Sequence, residues 1–180
     1  TLAKIIVVER QSAGWLVECL TRFSGDVRLV TDIAALRAER GSLVVGSFAR
    51  NEATELTSFA TAAKEVNLTA ITVEQDNHTL LVGPVAIPGR PGCAYCSWSR
   101  RVAAAGRIPE QSANVVTVLE RSEEKVAARI LKREVLAILR RGPTRSALVD
   151  HVLAVDLGES DESLHRVIPL SRCLVCGGAA

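Results

Sequence analysis

Short β-branched runs and amphipathic stretches alternate along the first ninety residues. Lys4-Ile5-Ile6-Val7-Val8 is a continuous apolar run, which predicts a strand buried on both faces. Ser12 is placed to cap a helix whose apolar positions are Leu16, Cys19, Leu20 and Phe23, with Trp15 beside them. Ser24-Gly25-Asp26 turns the chain into a second strand, Val27–Val30. Asp32 caps a short helix that runs to Arg40 and stops at Gly41. Ser42–Gly46 reads as a third strand. Asn51 caps the next helix, with Ala53, Leu56, Phe59, Ala60, Ala63 and Val66 on its apolar face. Leu68–Val73 and His78–Val82 are the fourth and fifth strands. Strand–helix alternation of this kind predicts an α/β fold, a doubly wound, mostly parallel Rossmann-like sheet. Gln75-Asp76-Asn77 is too short for a parallel crossover, so the last two strands are expected to form an antiparallel hairpin at one edge.

Beyond Val82 the pattern changes. Gly83 to Gly92 is rich in Gly and Pro and reads as a rigid, extended loop. A helix is expected over Ser97–Ala105, ended by Gly106, then a linker over Arg107–Asn114. Val115–Leu119 is apolar and fits strand or helix. Ser122 is placed to cap the longest helix, with Glu123 and Glu124 at the positive end of its dipole. This helix runs to Arg141 before Gly142-Pro143 and turns Ala127, Ala128, Leu131, Val135 and Ile138 inward. Val152–Leu157 and Ser163–Ile168 read as further strands. We divide the chain into a Rossmann-like half, 1–92, and a helical and strand half of the same domain, 93–180.

Composition narrows the function. The chain has 180 residues, 48% hydrophobic and 23% charged, enough to bury one sizeable core. Aromatics are only 3%, so the core is aliphatic and base-stacking platforms are disfavoured. Net charge is +2, too small to imply nucleic acid. Residues 1–90 carry 9 basic and 10 acidic side chains and residues 91–180 carry 13 and 10, so the basic excess lies in the second half. No apolar run approaches the ~20 residues that span a bilayer, and no signal-peptide pattern opens the chain. With no Met, and with Thr1 one step before a strand, the sequence is expected to be a piece of a longer polypeptide of the cytoplasm.

The chemistry is concentrated in Cys93-Ala94-Tyr95-Cys96 and Cys173-Leu174-Val175-Cys176, two Cys-x-x-Cys pairs separated by 76 residues. Each pair can reach one metal from a tight turn, and two pairs supply a closed tetrahedral zinc site. A structural Zn2+ held by Cys93, Cys96, Cys173 and Cys176 is therefore expected, with a disulfide framework the weaker reading. Gly177 lets the second turn bring backbone N–H groups onto the sulfurs. His165 is not needed as a ligand, and Cys19 reads as a buried small hydrophobe.

Other features are weaker. The first β–α turn, Val8 to Gly14, has a single glycine and carries Glu9 where a pyrophosphate would approach, so no ATP is expected in this domain. No Ser or Cys nucleophile pattern accompanies His78, His151 or His165. Lys125, Arg129, Lys132, Arg133 and Arg140 share one face of the longest helix, either as a solvated face or as a surface for an acidic peptide or partner. Arg100, Arg101 and Arg107 lie near the first Cys pair.

The stretch Gly83-Pro84-Val85-Ala86-Ile87-Pro88-Gly89-Arg90-Pro91-Gly92-Cys93-Ala94-Tyr95-Cys96-Ser97-Trp98-Ser99-Arg100-Arg101 resembles the ThiF/MoeB-like scaffold subunit of azoline-forming cyclodehydratases, which modify ribosomally made peptides of the microcin and cyanobactin type. A second Cys pair preceded by a stretch like His165-Arg166-Val167-Ile168-Pro169 belongs to the same pattern, so the resemblance runs from the first strand to Cys176. It implies zinc ligation by Cys93, Cys96, Cys173 and Cys176 and a scaffold that has lost ATP binding. It also implies docking to a YcaO-type protein, separate or fused, that uses ATP on a precursor peptide. A leader-binding winged helix before Thr1 and a YcaO domain after Ala180 are not in the sequence, so this stretch is expected neither to capture a leader fully nor to cyclise it alone. A homodimer is left open. The rivals are an active ATP-dependent adenylating enzyme of the ThiF/MoeB type and a nucleic-acid-binding zinc module.

Overall fold

A computed structural model describes residues 4–9, 14–22, 26–30, 36, 42–49, 52–76, 78–106 and 119–177. The expected caps Ser12, Asp32 and Asn51, Phe23, the Ser24-Gly25 turn, the short helix over 32–40 apart from Leu36, the 107–114 linker and all of 115–119 except Leu119 lie outside these residues.

Seven strands form one sheet among the described residues: β1 (Ile5–Glu9), β2 (Val27–Val30), β3 (Leu43–Ala49), β4 (Thr69–Asp76), β5 (Thr79–Ala86), β6 (His151–Asp156) and β7 (Asp161–Arg166), in the order β2-β1-β3-β4-β5-β6-β7. The pairs β1–β2, β1–β3 and β3–β4 are parallel, and β4–β5, β5–β6 and β6–β7 antiparallel. The α/β architecture with a mostly parallel first half is thus present. The β4–β5 hairpin forms as expected but is not at an edge. Thr79 to Val82 pair with Asp156 to Leu153, so β6 and β7 extend the sheet beyond it. The open edge on that side is β7, whose six residues are all exposed.

Helices cover both faces. α1 (Gly14–Thr21) and α4 (Arg121–Arg141) pack on one face; α2 (Ala53–Glu65) and α3 (Ala94–Ala105) pack on the other. Strand alternation decides which residue goes where. In β1, Ile5 and Val7 join the α1/α4 core with Leu16, Leu20, Ile130 and Leu131. Ile6 and Val8 join the α2 core with Leu56 and Phe59. Where α1 crosses α4, the Cys19 thiol donates to the Ala128 carbonyl (3.3 Å) and burial pushes its pKa up, so Cys19 behaves as the buried small hydrophobe its helix position implies.

Gly46 in β3 is a close-approach site. A Cβ there would sit 2.6 Å from the Phe48 ring and 2.7 Å from the Phe59 ring. Both rings are buried and lean on each other edge-on, with centroids 5.3 Å apart at 60°, so neither can give way. Gly46→Ala should therefore destabilise the chain by about 1–3 kcal/mol, read from a urea melt. An unchanged midpoint would show that the rings can repack.

Several element ends differ from the sequence reading. β5 continues through Gly83-Pro84-Val85-Ala86, although the composition of this stretch predicts a loop. The register shifts between Ile71 and Val73, Gly83 takes a positive φ of 98° ahead of a cis Gly83–Pro84 bond, and the Thr72 hydroxyl donates to the Gly83 carbonyl at 2.8 Å. The irregular ladder thereby accommodates a proline that cannot donate. α3 begins three residues earlier than expected, with Cys93 at its N-cap position. α4 is capped by Glu120 rather than Ser122. The Glu120 carboxylate accepts from the backbone of Glu123, and the Glu120 N–H donates to the Glu123 carboxylate at 2.8 Å. This is a reciprocal capping box in which a glutamate takes the place usually held by Ser or Thr. On α4, Ile130 joins the buried face and Ala128 is only half-buried.

The same Glu123 binds the His78 ring at the β4–β5 turn, pinning the hairpin to the helix start. The Glu123 hydrogen bond, with its charge in second place, raises the pKa of His78 above the ordinary 6.5. The bond from His78 holds Glu123 below the ordinary 4.5. A raised His pKa contributes stability that is full below 6.5 and is lost as pH rises through the folded value. A lowered Glu pKa contributes stability present above 4.5 and lost as pH falls through the folded value. The pair is thus strongest between about pH 4.5 and 6.5. His78→Gln should flatten the fall in stability from pH 6 to pH 8, measured by denaturant midpoints. A parallel pH profile in the variant would contradict this.

Candidate metal centre

The four expected ligands meet. Cys93 and Cys96 sit at the start of α3, and Cys173 and Cys176 in the turns after β7. Their sulfurs all lie within 4.8 Å of one another. The Cys93–Cys96, Cys93–Cys173 and Cys96–Cys176 separations are 3.9, 3.6 and 3.6 Å. A tetrahedral ion bound by four thiolates at about 2.3 Å requires sulfurs about 3.8 Å apart. A disulfide would bring them to about 2.0 Å. The spacing therefore fits a metal ion held by four cysteines and not a disulfide framework.

Each pair is built by ordinary local structure. The Ser97 N–H donates to the Cys93 carbonyl (3.2 Å), starting α3 at the first ligand and setting Cys96 one turn on. In the second pair the Cys176 N–H reaches the Cys173 sulfur at 3.4 Å, and the Gly177 N–H closes on the Cys173 carbonyl at 3.0 Å. The Leu170 N–H points at the Cys96 sulfur (3.5 Å), tying the segment before the second pair to the first. Arg100 fastens that segment again, with Nε donating to the Ile168 carbonyl (3.2 Å) and Nη2 to the Pro169 carbonyl (3.3 Å). N–H groups aimed at sulfur are the outer shell that thiolate metal sites use.

The surroundings are aliphatic: Ala60, Leu81, Val152, Val167 and Val175 pack with the cysteines. Cys93, Cys96 and Cys173 are buried and Cys176 is half-buried. The thiols share charge unevenly. The Cys93 hydrogen bond does most to bring Cys96 down to about 4, against its burial and helped by the Leu170 N–H. Cys93 is pushed well up, first by donating to Cys96 and then by burial. Burial is also the main cause that raises Cys173. A dication entering such a cluster displaces the remaining thiol protons, so its affinity rises with pH.

His165 takes no part in the cluster; its ring pairs with the Ser163 hydroxyl at 2.9 Å. The five basic residues of α4 are all exposed, but they are not equivalent. Arg133 is engaged by the Glu162 carboxylate of β7 (2.8 and 3.1 Å) and by Glu134 (2.7 Å), which raise its pKa, and the Arg133 guanidinium in turn lowers that of Glu162. It ties α4 to the edge strand. Of the first β–α turn, residues 10–13 lie outside the described residues. No described helix is long and apolar enough to cross a membrane.

Two residues near the centre escaped the sequence reading as a pair. Arg101 on α3 donates from Nη2 to both oxygens of Glu74 on β4 (2.8 and 2.6 Å), and Glu74 is 2% exposed. Strand alternation carried the signal: Ala70, Thr72 and Glu74 share one buried face, so Glu74 needed a cation.

This sheet with its covering helices is a fold that known structures share. No protein-family model and no curated protein matches the sequence. Among solved structures, the chain is similar to a heterocyclase in complex with substrate and cofactor (TM-score 0.65, 17% identity), over 98% of this chain and 25% of that one. It is similar to E. coli MccB (TM-score 0.68, 14% identity), over 97% of this chain and 65% of that one. It is also similar to the E. coli microcin synthetase McbBCD complex (TM-score 0.66, 14% identity), over 96% of this chain and 68% of that one. The chain thus spans a quarter of the heterocyclase and about two thirds of MccB. Its fold is the one these proteins have, as the resemblance carried by the Gly83–Arg101 stretch implied.

Proposed function

We propose that the chain is a non-catalytic, zinc-stabilised scaffold domain of a cyclodehydratase that installs azoline rings in a ribosomally made precursor peptide. The observation that carries this reading is the likeness to a heterocyclase and to a microcin synthetase complex along nearly the whole chain. On this reading the ion is structural Zn2+, held by Cys93, Cys96, Cys173 and Cys176. Four thiolates leave no open position for a water, so the metal does no chemistry. The site needs reduced thiols, which suits the cytoplasm. The domain docks a YcaO-type protein that uses ATP and helps present the peptide. Lys125, Arg129, Lys132 and Arg140 offer a basic surface for an acidic partner, and the Arg133 pair with Glu162 holds that helix to the sheet edge.

The second reading is an adenylating enzyme, favoured by the equal likeness to MccB, one of whose structures holds ATP. The sequence of the first β–α turn speaks against it, with one glycine and a carboxylate at Glu9. ATP–pyrophosphate exchange separates the two. We expect no exchange above background with the chain and peptide, and retention of the chain on an immobilised YcaO-type enzyme. Peptide-dependent exchange would overturn the scaffold reading in favour of adenylation.

A further inference from the structure

Beyond the metal centre, α3 and the antiparallel part of the sheet enclose an open cleft of about 370 Å³. Its apolar lining is aliphatic: Leu81, Val152, Ala154, Val167 and Ala104. Its polar lining carries the guanidinium groups of Arg100, Arg101 and Arg166, and among the described residues no carboxylate lines it. Glu74, which does not line the cleft, neutralises the Arg101 guanidinium, which leaves the charges of Arg100 and Arg166 in excess. Arg101 reaches Glu74 through Nη2 alone. Its Nη1 is buried and has no hydrogen-bond partner among the described residues. A guanidinium on the rim matches a carboxylate. Apolar walls also strengthen the field of the rim charges.

We propose that this cleft seats a short extended segment of polypeptide carrying an aspartate or glutamate beside an aliphatic side chain. The acid faces the Arg100 and Arg166 rim. The aliphatic group lies on Leu81, Val152 and Val167. A nucleotide fits less well, because among the described residues no aromatic ring lines the cleft to stack a base. The volume suits two or three residues, which makes this a local anchor and not the whole of a peptide-binding surface. The cleft lies on the opposite face of the sheet from α4, so it is distinct from the basic surface of that helix.

Resting on the scaffold reading, we take this segment to belong to the precursor peptide. The test does not need that peptide. The metal-loaded chain is titrated with acetyl-Gly-Leu-Glu-Val-Gly-amide while its amide nitrogen–proton spectrum is followed. Shifts should centre on Leu81, Ala104, Val152 and Val167. The peptide with Gln in place of Glu should bind at least about tenfold more weakly, the loss expected for one charge-assisted hydrogen bond. Ala104 is exposed on α3, so Ala104→Trp should plug the cleft and abolish the shifts while the spectrum stays native-like. Arg166→Gln should weaken binding several-fold. Equal binding of the Glu and Gln peptides, shifts centred elsewhere, or no shift at all would overturn the proposal. Shifts at these amides from inorganic phosphate, with none from the peptide, would overturn it too and reassign the cleft to a free anion. Because no heterocyclase is present, a negative result leaves the docking role standing.

Discussion

Removing the metal, by chelation or by Cys173→Ser, should lower the melting temperature by roughly 10–20 °C. A structural zinc bound by a short peptide is worth about 10–16 kcal/mol of apparent folding energy. This chain also has two apolar cores that contain none of the four ligands, so roughly 5 kcal/mol is a reasonable share. At about 2–4 °C per kcal/mol for a chain of this size, the shift follows. The loss should be uneven. The cysteines are the chief polar link between the start of α3 and the end of the chain, and Leu170 and Cys176 hydrogen-bond to their sulfurs. Hydrogen exchange at those two amides should accelerate far more than at Val45 or Ile71 in the sheet centre. Calorimetry and exchange together check this. An apo protein with an unchanged melting temperature and protected Leu170 would show that the cysteines are only packed, not ligating.

The second large effect belongs to the Arg101–Glu74 pair. Arg101→Met should cost about 3 kcal/mol, because it leaves a carboxylate that is 2% exposed without its guanidinium. The guanidinium itself is 27% exposed, which keeps the figure at the lower end of buried-pair losses. Adding Glu74→Gln to Arg101→Met should recover most of the loss, since the double variant no longer buries a charge. Urea midpoints of the two single variants and the double variant check this. Additive losses would mean that the two side chains act independently and that the geometry overstates their coupling.

Much of this was legible in the residues. The continuous apolar run Ile5-Ile6-Val7-Val8 predicts a strand buried on both faces, and the split of those four side chains between two cores bears that out. The two Cys pairs announced a meeting that the fold achieves across a long span of chain. What local pattern does not encode is long-range pairing. The β4–β5 hairpin has the turn of an edge hairpin, and only the register of Thr79 with Asp156 moves it inward. Gly83-Pro84 has loop composition, and a ladder irregularity opposite Thr72 keeps it in a strand. Glu120 is an unusual cap residue that works because Glu123 reciprocates. The pairing of Arg101 with Glu74 depends on which residues α3 lays over β4, which neither segment specifies alone.

The most direct test of the scaffold role is the intact mass of a precursor peptide incubated with a YcaO-type enzyme and ATP. One sample contains the zinc-loaded chain, one contains the Cys173→Ser chain and one contains neither. Holding two reactants together raises rates steeply, so the zinc-loaded chain should speed the loss of one water per ring by at least about tenfold. The serine variant should give little of that gain. Water loss at the same rate in all three samples would contradict the account.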